Sequence, residues 1–143
     1  MQLNNIEDLR ALRISVTGDV EPILLDRSAL LQAIYTAIGC RYVEVVQPTD
    51  TICLWVDEEG LLNHSDPNLL ATLVAAELGS FPQVLRGTVV ATGGADAEGN
   101  TLPLSEQDLR LLKTIVARIS GIGQKDRTNP DRERPVSPET RFW

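Results

Sequence analysis

Apolar residues change their spacing twice within the first sixty positions. In "LRISVTGDVEPILL", Leu12, Ile14 and Val16 alternate with Arg13, Ser15 and Thr17, and Gly18-Asp19 separates them from a second apolar run. Alternation of period two around a turn-forming dipeptide predicts a β-hairpin. Pro22, which has no N–H to give to a ladder, places the second arm at a sheet edge or makes it irregular. In "DRSALLQAIYTAIGC" the spacing becomes three and four, through Leu30, Leu31, Ile34 and Ile38. That predicts a helix over about 29–38, with Ser28 as its cap and Gly39 as the left-handed residue that stops it. "RYVEVVQ" and "TICLWV" return to β-branched and aromatic composition, joined by Pro48-Thr49-Asp50. The second is apolar at both parities, Ile52, Leu54 and Val56 on one side and Cys53 and Trp55 on the other, which predicts a central strand covered on both faces.

The second half repeats the alternation of elements. "NLLATLVAAEL" runs as a helix to Gly79, "LRGTVVATGG" reads as a strand ended by paired glycines, and "ADAEGNTLP" is a loop of turn formers. "SEQDLRLLKTIVARIS" is a helix capped by Ser105, with Leu109, Leu112, Ile115, Val116 and Ile119 on one face. The order predicts an α+β fold: a small mixed or mainly antiparallel sheet of four to five strands packed with two to three helices. Residues 1–11 read as a polar arm or short helical turn, 12–120 as one domain, and 121–143 as a disordered or loosely docked charged tail. The tail ends in Phe142 and Trp143, an aromatic pair suited to anchor in a groove of this chain, a second copy or a partner.

A chain of 143 residues is long enough to bury a core without staples. Its formal charge is -7; the tail has five basic and four acidic residues, so the first 120 carry -8. An acidic body repels phosphate backbones, and no direct nucleic-acid binding is expected of it. The opposite idea, an acidic decoy that imitates DNA, needs carboxylates aligned on one elongated face. No apolar run spans a bilayer and the first ten residues are polar, so a cytoplasmic protein with no membrane contact is expected. Pairing the two strands around Pro48–Asp50 gives facing residue numbers that sum to about 97 or 98. Cys53 then faces Glu44 or Val45, and no disulfide to Cys40 is expected.

The densest chemistry lies in "WVDEEGLLNHSDPNLLAT". Asp57, Glu58 and Glu59 before Gly60 read as a strand end and a glycine turn, the glycine at positive φ. Asp66-Pro67 reads as an N-cap with proline at the first helical position. His64 has no partner set by spacing, and adjacency to Ser65 and Asp66 is no evidence for a triad. No CxxC or HxxxH spacing signals a metal, and "GGADAEGN" and "GIG" lack the context of a phosphate loop, so no cofactor is expected. Asn68 and Thr72, one helical turn apart, remain. They either bind a small polar ligand beside the acidic turn or tie the helix to it by hydrogen bonds, and the tie is the simpler account.

"YVEVV", "WVDEEG", the Asn68, Ala71 and Thr72 of "NLLAT", and "RGTVVATG" together resemble, in order and spacing, the family known as domain of unknown function 3846. The family occurs in actinobacteria, other bacteria, and their phages and plasmids. The resemblance covers about 14–105 and leaves the last helix and the tail particular to this chain. It implies a small cytoplasmic α/β domain carried on mobile elements, and no reaction. The expectation is a non-enzymatic binding or accessory domain acting on a protein partner or a small polar ligand, with a homodimer left open. Its candidate residues are Glu44, Asp57, Glu58, Asn68 and Thr72. The alternative is a small enzyme with Glu44 or Asp57 as general base and Asn68 and Thr72 orienting the substrate, which requires a concave pocket between the acidic turn and the helix start.

Overall fold

The computed structural model describes residues 8–79 and 83–128; Phe142, Trp143 and the first seven residues of the expected arm lie outside the described residues. Strands β1 (Asp8–Ile14) and β2 (Val20–Asp26) form the expected hairpin, and a 3-10 turn (Arg27–Ala29) leads into helix α1 (Leu30–Ile38). Then follow β3 (Val43–Thr49), β4 (Ile52–Asp57), α2 (Leu69–Leu78), β5 (Val89–Gly93) and α3 (Glu106–Thr128). The five strands lie in the order β2-β1-β5-β4-β3, and every neighbouring pair is antiparallel. The fold is α+β, with the two edge strands running in the same direction. The chain therefore crosses the whole sheet between them, through α1.

That crossing covers one face of the sheet, where Leu9, Ala11, Leu25, Ile34 and Val90 are buried under α1. The opposite face carries the larger core. Leu12, Ile14, Leu54, Val56, Val89 and Ala91 pack there against Ala71, Val74 and Ala75 of α2 and Leu112 and Ile115 of α3. β4 has both parities buried, as its sequence predicts, and β2 stands at an edge with its Pro22.

Several boundaries move, each for a local reason. β1 begins at Asp8 inside the expected arm, because Leu9 and Ala11 are fully buried between β2 and the sheet interior. Pro48 lies within β3, and the chain turns at Asp50-Thr51. Val45 consequently faces Trp55 and Glu44 faces Val56, two to three positions from the expected register. Both cysteines are free. Asp26 caps the helical start in place of Ser28, its Oδ1 accepting from the Ser28 amide at 3.0 Å and hydroxyl at 2.7 Å. Gly39 takes the predicted left-handed conformation at φ 82. Ser105 caps α3, accepting from the Asp108 amide at 3.0 Å. The helix runs on to Thr128, past the point where apolar periodicity fades. Burial also turns α1 further than expected: Ala33 and Ala37 face the sheet beside Ile34, while Leu31 is 49% exposed.

Candidate functional site

The acidic turn is built by Asp57 at the end of β4. Its Oδ1 accepts from the Glu59 amide at 2.8 Å and its Oδ2 from Asn63 Nδ2 at 3.2 Å. The chain then coils back on itself, with the Asn63 amide on Glu59 O and the Ser65 amide on Gly60 O. Gly60 does not take positive φ; His64 does, at 57°. Gly60 is tightly packed instead, since a Cβ there would lie 3.2 Å from Cβ of Arg86 and would make that side chain give by a few tenths of an ångström. That closeness lets the Arg86 guanidinium donate to Ser65 O at 3.0 Å and hold the end of the coil.

The helix starts two residues later than Asp66-Pro67 implies. Pro67 bridges to Arg86 as a scrap of antiparallel ladder, and Asn68 is the N-cap of α2. Asn68 is fully buried, and its whole side chain is engaged: Nδ2 donates to Ile14 O at 3.0 Å and Gly87 O at 2.9 Å, and Oδ1 accepts from the Ala71 amide at 3.0 Å. Thr72 Oγ1 donates to Asn68 O at 2.7 Å and accepts from the Leu85 amide at 2.9 Å. Together they sew the start of α2 to β1 and to the segment entering β5.

The five candidates do not converge. Glu44 faces Val56 and so shares the side of α2 and α3, whereas Asp57 faces Val43 on the side of α1. Glu58 is exposed, with its amide on Tyr42 O. Asn68 and Thr72 point into the structure, not toward the acidic turn. Among the described residues, no group of three or more His, Cys, Asp or Glu stands together to hold a metal ion.

A concave surface exists elsewhere, where no single stretch of sequence signals it. A shallow, widely open groove of about 570 Å³ lies between β2 and α1. Ile23 and Leu25 of β2 and the small side chains of Ala29, Ala33 and Ala37 line it, and Arg13, Glu21 and Asp26 border it. Ala33 and Ala37, four apart, share one stripe of α1, and Ala29 precedes them in the 3-10 turn. The turned setting of α1 directs that stripe to the sheet. The Arg13 guanidinium is held twice, Nε donating to Ala37 O at 2.9 Å and one terminal nitrogen 3.5 Å from Glu21.

Neither thiol belongs to a reactive constellation. Burial pushes the Cys53 thiol up, and burial with the nearby Asp57 and Glu59 charges pushes Cys40 up. A raised pKa keeps the unreactive protonated form to higher pH. Alkylation by iodoacetamide, followed by mass spectrometry across a pH series, should therefore be slower at both sites than in a peptide thiol at pH 8. Cys53, 8% exposed, should be the slower of the two.

An antiparallel five-stranded sheet covered by helices on both faces, with a groove along one edge, defines a small α+β domain. The chain belongs to the family described as domain of unknown function DUF3846, which matches residues 9–117. The match reaches further than the resemblance in sequence motifs and takes in the first half of α3, so the start of that helix falls within the family and is not particular to this chain. No curated protein and no solved structure matches it. Among the described residues, no helix is long and apolar enough to cross a membrane.

Proposed function

We propose that this chain is a non-enzymatic binding or accessory domain that docks a protein partner or a small ligand in the groove between β2 and α1. The observation that carries this reading is the groove itself: an apolar floor with a few polar groups at its border, the usual make-up of a recognition site. General acid–base chemistry needs its groups within hydrogen-bond reach of one substrate. Glu44 and Asp57 lie on opposite faces of the sheet and Asn68 and Thr72 are spent on backbone partners, which weighs against the enzyme alternative. The decoy alternative is weakened by arginines interleaved with the acids, as in the Arg41–Glu59 pair at 3.3 Å and Arg118–Glu77 at 3.1 Å. A cytoplasmic setting suits two unpaired thiols. Carriage by an actinobacterial phage or other mobile element, with a host protein as partner, follows from the family resemblance alone.

The test is a thermal-shift screen over nucleotides, cyclic nucleotides and metabolites, with amide chemical shifts mapping each hit. A ligand that raises Tm and moves amides of β2 and α1 is the expected result. Substrate turnover by the purified protein, with β2 and α1 undisturbed, would overturn the proposal.

A further inference from the structure

The geometry points to an extended peptide as the occupant of this groove, one with alternating basic and branched apolar residues that adds to the outer edge of β2 as a sixth strand. The inference rests on the binding reading above and names its partner.

The hydrogen-bonding parity of β2 carries the argument. The Ser15 amide donates to Asp19 O at 2.9 Å, so residues 15 and 19 form a hydrogen-bonded pair of the hairpin. Such pairs alternate along an antiparallel ladder. With the observed register, Glu21, Ile23 and Leu25 bond inward to Arg13, Ala11 and Leu9, and Val20, Pro22, Leu24 and Asp26 turn their backbone groups outward. Pro22 thus falls where its missing N–H costs the sheet nothing. Among the described residues no strand flanks β2 on that side. The outward groups of Leu24 and Asp26 border the groove, and Leu24 is 65% exposed. A groove between an edge strand and a helix is the arrangement in which main-chain bonds supply affinity and alternate side chains enter a pocket. Here Ile23 and Leu25 and the alanine stripe leave room for branched apolar side chains.

Charge selects the remaining positions. Asp26 faces Asp8 across the hairpin, and the Ser28 hydrogen bonds hold the Asp26 carboxyl below the usual carboxylate range, so this end of the edge carries paired negative charge. Neither arginine of β1 neutralises it by an ion pair: Arg10 Nε donates to Leu104 O at 3.1 Å, and Arg13 is paired with Glu21 and bonded to Ala37 O. Cationic side chains on an added strand would. A second copy of this acidic chain would bring the same carboxylates along the same edge, so self-pairing is disfavoured.

The probes are the synthetic peptide Lys-Val-Lys-Val-Arg-Val-Lys-Val and its counterpart with Glu at every basic position, titrated by fluorescence anisotropy against the full chain. The basic peptide should bind at least tenfold more tightly than the acidic one. Leu24→Pro removes an outward N–H and no inward bond, and should weaken binding at least tenfold. Because proline could disturb folding, the unmodified protein supplies an independent readout: the Leu24 amide should exchange more slowly with solvent when the basic peptide is bound. Equal affinity for the two peptides or unchanged exchange at Leu24 would overturn strand addition by a basic peptide, and a dimer that falls apart in Leu24→Pro would overturn the peptide as occupant in favour of a second copy. If neither peptide binds but a small molecule moves groove amides, strand addition fails and the binding reading stands. If nothing moves them, both fail.

Discussion

Asn68→Ala should lower stability by about 4 kcal/mol, because a buried group stripped of its partner costs about 1–3 kcal/mol and this one side chain serves three. Alanine would leave Ile14 O, Gly87 O and the Ala71 N–H without their present partners, and α2 would lose its N-cap. A shift of that size in a chain of this length lowers Tm by about 10 °C or more. Two further variants separate the contributions. Asn68→Asp keeps the acceptor for Ala71 but sets a carboxylate against two carbonyl oxygens, so it should be no more stable than the alanine variant. Thr72→Val leaves only the Leu85 amide unserved and should cost about 1–2 kcal/mol. Urea unfolding of the three variants provides the comparison. A loss below about 1 kcal/mol in Asn68→Ala would mean that water replaces the amide and that the side chain is not the tie described above.

The same residue shows what local sequence carries and what it does not. Asx residues at 66 and 68 are both good caps, and Pro67 favours the first. The choice falls to Asn68 because its amide group meets two carbonyls far away in sequence and its backbone N–H reaches Leu85 O. No local pattern contains those partners. Strand identity is different: Ile52, Leu54 and Val56 alternate with Cys53 and Trp55, both parities are apolar, and a covered strand follows from the period alone. Pro48 misleads because it also serves as a strand residue at an edge, where its missing donor is harmless. Asp8 to Ala11 looked like a polar arm because one face of an edge hairpin is polar, although the other buries Leu9 and Ala11 completely. As for the site, the two candidate bases sit on neighbouring strands, and period two sends Glu44, opposite Val56, and Asp57, opposite Val43, to opposite faces once the register is known. The groove was invisible for the converse reason. Its floor and wall come from two elements, and its shape depends on a helix rotation that leaves Leu31 outside and brings alanines in.

Gly93→Ala should destabilise the fold by about 3 kcal/mol or more, at the upper end of what overpacking costs, since the obstruction is main chain and cannot rotate away. Gly93 ends β5 opposite Ile52, on the face that carries Val89 and Ala91. The segment leading into α3 lies directly upon it. The Gly93 amide donates to Leu102 O at 3.0 Å, and a Cβ at Gly93 would lie 2.8 Å from that same oxygen and closer still to Pro103 O. One residue further on, a Cβ at Gly94 would lie 2.5 Å from Asp50 O, in the turn between β3 and β4. Moving Pro103 would pull on Leu104, which is fully buried and whose amide is bonded to Arg10 O in β1. The clash therefore cannot be relieved without loosening the docking of α3. Gly18→Ala is the informative control: Gly18 has φ 92 and open space around it, so it should pay only the left-handed penalty of about 1–2 kcal/mol. Thermal unfolding should rank Gly93→Ala well below Gly18→Ala in Tm. Hydrogen exchange should show the added lability of Gly93→Ala first in α3 and the 102–104 segment, with the β1–β2 hairpin unaffected. Equal Tm values for the two variants would mean that the 102–104 strap yields freely, and that α3 is held by its own contacts with α2 and the sheet and not by the strap that crosses Gly93.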